Sequence, residues 1–276
     1  MRASGILMPV FSLPGPFGIG TLGSEATAFV DFLAEAKQTY WQILPIGPTG
    51  YGDSPYQSFS AYAGNPYFID LELLVSDGLL KKSECAKCDW GSDPRRVDYG
   101  KIYENRFTLL HKAYQRGWAR DAEAVADFVA ENERWLPDYT LYMACKRHFA
   151  MKSWTEWPDA DIRLRKSEVV LEKYRKLLHE DVELFTYLQF LFFRQWNALR
   201  DYVHAQGIHI IGDLPIYVSL DSADVWAEPE FFQLDEKLVP KAVAGVPPDY
   251  FTADGQLWGN PLYDWDAMRG DGFGWG

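Results

Sequence analysis

Apolar positions recur along this chain in two rhythms, one of strands and one of helices. Gly5-Ile6-Leu7-Met8-Pro9-Val10 predicts a short buried strand, and a Pro- and Gly-rich loop follows to Gly23. Ser24 is placed to cap a helix, and Phe29, Phe32, Leu33 and Ala36 recur at helical spacing, so a helix is expected over about Ser24 to Lys37. Tyr40-Trp41-Gln42-Ile43-Leu44 is a second apolar run, stopped by Pro45. Strand, helix and strand within so short a span predict a parallel sheet. From Tyr51 to Asn65 the chain reads as a loop of Gly, Ser, Tyr and Pro. Helical spacing then dominates: Tyr103/Phe107/Leu110/Tyr114, Val125/Phe128/Val129, Leu141/Cys145/His148/Phe149, and a long stripe from Leu184 to Val203 ended by Gly207. Ile208-His209-Ile210-Ile211-Gly212-Asp213 predicts a third buried strand, and Asp221 to Gly276 reads mostly as loop.

That spacing bears on architecture. A closed (β/α)₈ barrel takes about 250 residues and eight regularly spaced strands. Here a mostly helical insertion at about 68–206 leaves room for only the first three or so strands. The expected fold class is therefore α/β, a (β/α)₈ barrel with helical insertions, of which residues 1–276 form the N-terminal portion.

Composition narrows the function. With 39 acidic and 27 basic side chains the net charge is −12, the wrong sign for a nucleic-acid or anionic-membrane footprint. No apolar run is long enough to span a bilayer. The start is too short for a signal-peptide core, and three Cys make no disulfide framework, so a cytoplasmic protein is expected. Aromatics reach 16%, an excess that needs a use.

Several motifs invite chemistry and lose it on context. Gly18-Ile19-Gly20-Thr21-Leu22-Gly23 matches the dinucleotide fingerprint, yet Pro14 and Pro16 separate it from the strand and no acidic residue follows the second strand, so a packing loop is the better reading. Cys85-Ala86-Lys87-Cys88 has no second ligand pair, and the five His show no ligand spacing. Neither a metal nor a cofactor is expected.

Three loops stand apart because they follow strand ends, where parallel α/β folds gather ligand groups. Ser54 to Tyr67 alternates hydroxyls, amides and rings, the mixture that recognises sugars: rings stack on the C–H face of a pyranose while amides and hydroxyls meet its OH groups. The other reading of this stretch is a loop packed by its own aromatics. Asp213 ends the third strand, with a turn or cap role as the alternative. Asp249, Tyr250, Phe251, Trp258 and Asn260 continue the theme in Gly245–Phe251 and Gln256–Tyr263.

The runs Gly50-Tyr51-Gly52-Asp53-Ser54-Pro55-Tyr56, Gly212-Asp213-Leu214-Pro215-Ile216-Tyr217-Val218, Val243 to Phe251 and Leu257-Trp258-Gly259-Asn260-Pro261-Leu262-Tyr263 closely resemble the 4-α-glucanotransferases, the amylomaltase or disproportionating enzymes of the α-amylase clan. The resemblance covers essentially the whole chain and about the first half of the family's length. It implies transfer of α-1,4-glucan segments between maltooligosaccharides with retention, by two close carboxyls around an oxocarbenium-like transition state. Carried over, Asp213 is the supporting aspartate after strand three, Tyr56 packs against the same sugar with Ser54 beside it, Asp249, Tyr250 and Phe251 lie on the loop covering the cleft, and Trp258 and Asn260 contact glucan. The family's nucleophile sits in an Arg-x-Asp-His segment that residues 1–276 lack, and its acid/base Glu comes later still. The expectation is thus an N-terminal portion truncated before its nucleophile and inactive alone. A non-catalytic glucan-binding fragment and an α-glucan hydrolase of the same clan are the alternatives.

Overall fold

The computed structural model describes residues 2–50 and 52–275. In chain order the elements are β1 (Gly5–Leu7), α1 (Ser24–Glu35), β2 (Tyr40–Gln42), α2 (Leu71–Ser76), α3 (Lys82–Cys85), α4 (Tyr99–Gly117), α5 (Ala122–Glu131), α6 (Leu136–His148), α7 (Ala160–Arg163), α8 (Glu168–Leu177), α9 (His179–Ala205), β3 (His209–Ile211), α10 (Ala223–Ala227), β4 (Val243–Val246), β5 (Gln256–Pro261) and α11 (Trp265–Gly270). The chain divides into two compact units, one of residues 1–48, 64–133 and 183–214, the other of 49–63, 134–182 and 215–276.

The first unit holds the parallel sheet, in the order β1-β2-β3, with Ile6 opposite Trp41 and Trp41 opposite Ile210. Trp41, on the central strand, is fully buried and donates from Nε1 to the Met8 carbonyl at 2.8 Å. The outer strands depart from expectation. Leu7 is 52% and Ile211 43% exposed, because among the described residues no further strand pairs with β1 or β3 on its outer side. A parallel strand is buried by neighbours and by layers on both faces, and these two lack part of that cover.

The cap expected at Ser24 is also corrected: Gly23 holds the cap position and makes no side-chain bond. Only glycine fits at that position, since a Cβ at Gly23 would lie 2.2 Å from the Asp70 carboxylate, which itself accepts from the Thr21 hydroxyl at 2.6 Å. A Cβ at Gly20 would likewise meet the Val10 carbonyl at 2.0 Å, so the Gly18–Gly23 run packs against its own unit. In α1 the buried stripe is Ala26, Val30 and Leu33, with Phe32 left exposed. In α4 it is Ile102, Arg106, Leu109, Leu110, Ala113, Tyr114 and Gly117, which keeps the expected Leu110 and Tyr114 and leaves the expected Tyr103 exposed. Arg106 joins this buried face: it reads as a solvent residue, yet it is buried and donates to the Ile69 carbonyl at 3.1 Å.

The long helix α9 organises this unit. Two of its buried glutamines hold distant backbone by both ends of the amide. Gln189 accepts from Gly64 N at 2.8 Å and donates to Gly64 O at 2.9 Å, while Gln195 pairs with Asp70 N and O at 2.7 and 3.2 Å. Such paired bonds satisfy buried backbone that water cannot reach. The approach at Gly64 admits no side chain, since a Cβ there would stand 2.0 Å from the Phe192 ring. Gly207 ends the helix region at φ +73°, the left-handed conformation its position predicts.

The second unit contains α6, α7, α8, α10 and α11 and one antiparallel pair, β4 with β5. The sequence reads Asp221 to Gly276, which holds this pair, as mostly loop with short pieces. Its strands escaped notice because they are short, slip register between Val243 and Gly245, and are joined by Pro247, Pro248 and a left-handed Gly255.

Candidate functional site

The loop 49–63 is shaped by its own serines. Thr49 and Ser58 form an antiparallel bridge, and Gly50 N donates to Gln57 O at 3.0 Å. Ser58 Oγ donates to Ser60 O at 2.7 Å, and Ser60 Oγ accepts from Tyr62 N and Ala63 N at 3.1 and 3.2 Å. Ser58 and Ser60 are buried, so these hydroxyls fix the loop's path. At the outer turn Ser54 Oγ accepts from Tyr56 N at 3.3 Å, and the Tyr56 side of that turn is 45% exposed. Tyr51, part of the first motif, lies outside the described residues.

Gln57 joins this loop to a segment two hundred residues further along the chain. Its Nε2 donates to Asn260 Oδ1 at 3.0 Å, and Asn260 Nδ2 donates to the Val218 carbonyl at 2.8 Å. Asn260, expected at a ligand, is buried with both ends of its amide engaged, and what it holds together is the loop, β5 and the 215–222 segment. Trp258, two residues earlier on β5, is partly exposed, its Nε1 bonded to Gln256 Oε1 at 3.0 Å. The Trp258 ring centroid is 6.4 Å from that of Tyr217, which stacks on Tyr263 at 5.8 Å and 17°. Gln57, next in sequence to Tyr56, thus ties this loop to β5, the strand that carries Trp258 and Asn260.

Asp249, Tyr250 and Phe251 sit in the β4–β5 connection. Asp249 Oδ1 accepts from Phe251 N and Thr252 N at 2.8 and 2.9 Å, a turn that leaves Tyr250 fully and Phe251 almost fully exposed. Asp213 belongs to the first unit, where it stands two residues beyond β3, half-buried at the C-terminal edge of the sheet.

Sequence reasoning missed the ionisable groups around α10. Asp221 accepts from the Tyr142 hydroxyl at 2.7 Å, from Trp154 N at 3.2 Å and from Lys146 Nζ at 2.7 Å. Asp224 accepts from Ala61 N at 3.0 Å, and burial, assisted by the nearby Glu228 charge, pushes its carboxyl up to about 7. Beside it lies a small cleft lined by Ser60, Tyr62, Trp135, Asp138, Asp224 and Glu228. At about 30 Å³ it admits water and no sugar ring. The signal available for these residues was slight: Ser222 before Ala223-Asp224 marks a capped turn, and its Oγ does accept from Val225 N at 3.2 Å.

Comparison with known proteins decides the family. The family described as 4-alpha-glucanotransferase matches residues 8–275. The 4-alpha-glucanotransferase of Streptococcus pneumoniae serotype 4 is 50% identical over 275 residues, covering 99% of this chain and 54% of that protein. The chain belongs to the 4-alpha-glucanotransferase family. The Clostridium butyricum member is 49% identical over 269 residues, covering 97% of this chain and 55% of its own length. Among solved structures, an amylomaltase from Streptococcus agalactiae in complex with acarbose superposes with TM-score 0.96 at 48% identity, over 100% of this chain and 56% of that one. An amylomaltase from Corynebacterium glutamicum, 19% identical and with TM-score 0.73 over 98% of this chain and 38% of its own, shares the fold. The chain therefore spans about half the length of the 4-alpha-glucanotransferases it matches, and it has their α/β fold. No helix among the described residues is long and apolar enough to cross a membrane.

Proposed function

We propose that residues 1–276 are the N-terminal portion of the (β/α)₈ catalytic domain of a cytoplasmic 4-α-glucanotransferase, with a mostly helical insertion at 68–206. In this reading the enzyme moves α-1,4-glucan segments between maltooligosaccharides with retention and without a cofactor. The observation that supports it is the Gln57–Asn260 bond, which ties the loop carrying Ser54 and Tyr56 to the strand carrying Trp258. Exposed rings set beside fixed amides suit a pyranose, whose C–H face is apolar and whose rim is all hydroxyl. The net charge of −12 supports glucans over nucleic acid as partners.

Each part has a role. Tyr56 packs on a sugar face with Ser54 beside it, Trp258 supplies a second ring, and Asn260 acts by holding Gln57 and the Val218 carbonyl in place. Tyr250 and Phe251, with Asp249 setting their turn, close over glucan. Asp213 stabilises the positive charge that develops at the reacting carbon, which a fixed carboxylate does at little reorganisation cost. The nucleophile and the proton donor that a retaining mechanism requires belong to the part of the family's length that this chain does not span.

The test uses the 276-residue chain. It is expected to bind maltoheptaose saturably in isothermal titration and to release no glucose from maltotriose. Glucose release would overturn the assignment of the nucleophile to a missing segment. Absence of any binding would overturn the saccharide reading of the ring group.

A further inference from the structure

Lys146 lies in the last turn of α6, and its side chain is 1% exposed. Its Nζ is 2.7 Å from Asp221 Oδ2 and donates to the Lys152 carbonyl at 3.1 Å. The same ammonium sits 4.7 Å from the centroid of the Phe59 ring and 5.7 Å from that of Tyr142. Phe59 is three residues from Tyr56, and its carbonyl accepts from Ala223 N at 2.8 Å. Two residues further on, Ala61 N donates to Asp224. One buried cation therefore touches the loop through a ring and grips, through Asp221, the segment leading into α10 that binds the same loop by backbone.

A buried ion pair is weak evidence for stability, because a well-packed apolar replacement of similar volume is often as stable or more so. A Lys at this site needs another reason to be charged. A cation held over an aromatic face is attracted to that ring by 0.5 to roughly 2 kcal/mol, and the attraction is directional enough to fix the ring. We infer that Lys146 is a positioning residue for glucan binding, its ammonium anchored by Asp221 and seated on Phe59 so that the 49–63 loop presents Tyr56 in one fixed arrangement. This rests on the reading of that loop as a saccharide subsite.

The test is Lys146→Met in the 276-residue chain, which keeps the length of the side chain and removes its charge. Maltoheptaose affinity is expected to fall at least tenfold while circular dichroism keeps the parent's helix content, the unfolding midpoint dropping because Asp221 loses its partner. Hydrogen exchange gives a second readout that needs no sugar: the Ala61 and Ala223 amides are expected to exchange at least tenfold faster, with α6 unchanged. A folded Lys146→Met chain with parental affinity and parental exchange overturns the inference. If Lys146→Met fails to fold, Lys146→Met/Asp221→Asn, which leaves no unpaired buried charge, decides by the same two measurements. If the parent chain does not bind maltoheptaose, the saccharide reading fails by itself; faster exchange at Ala61 and Ala223 then still supports the anchoring of the loop, and unchanged exchange sinks it.

Discussion

The region around α9 in the first unit and the region around α10 in the second meet the same problem with different chemistry. In both, a polar side chain reaches buried backbone far away in sequence. On α9 the reach is made by Gln189 and Gln195, each giving one bond and taking one. Around α10 it is made by Asp221 and Asp224, which as carboxylates only accept and which draw on a buried lysine, a tyrosine and backbone N–H groups. An amide grip is complete at any pH. A carboxylate grip is conditional on its proton, so the difference separates a fixed frame from an adjustable one.

The comparison breaks first at Gln189. Gln189→Leu strands the N–H and carbonyl of Gly64 without partners in a buried place, and urea unfolding is expected to show a loss of about 2–4 kcal/mol, equal at pH 5 and pH 8. A loss that varied with pH would remove the distinction. Next comes Asp224. Its carboxyl binds a proton more tightly in the folded chain, at about 7, than in the unfolded chain, whose ordinary value is 3.8. The folded state therefore holds more protons between those values, so this group's stabilisation is full below pH 4 and is lost as pH rises through 7. The unfolding midpoint of the parent is expected to fall by a few degrees over that window relative to Asp224→Asn, in which this pH dependence is absent.

Smaller effects sharpen the picture. Ser222→Ala removes the cap of α10 and is expected to cost about 1 kcal/mol in the same unfolding assay. Tyr250→Ala with Phe251→Ala touches an exposed connection and is expected to leave stability within about 0.5 kcal/mol, while maltoheptaose affinity drops severalfold. Unchanged affinity would take these two rings out of the saccharide reading.

What could be read in advance followed the physics of each signal. β2, α1 and α9 were legible because apolar runs and helical stripes follow burial, β1 and β3 as strands though not in their burial, and Gly207 because only glycine takes that backbone freely. The β4–β5 pair was not, since prolines and glycines stand where alternation would show. At the site, the ring-bearing loops were legible from composition. The grips were not: Arg106 and Lys146 look like surface residues, and only three-dimensional packing reveals that each is buried with a bond to one backbone carbonyl. Ser58 and Ser60, in the run read either as sugar-recognising or as a self-packed loop, serve the loop itself.

Among the described residues no strand covers the outer flanks of β1 and β3, and this has a practical consequence. Natural sheets blunt such borders with lysine, proline or a bulge, and Leu7 and Ile211 offer none of these. Strongly like-charged molecules repel, so at low ionic strength a net charge of −12 keeps copies apart. Raising the salt shortens the range of that repulsion, and light scattering from a concentrated solution of the 276-residue chain should climb with sodium chloride well before any helix melts.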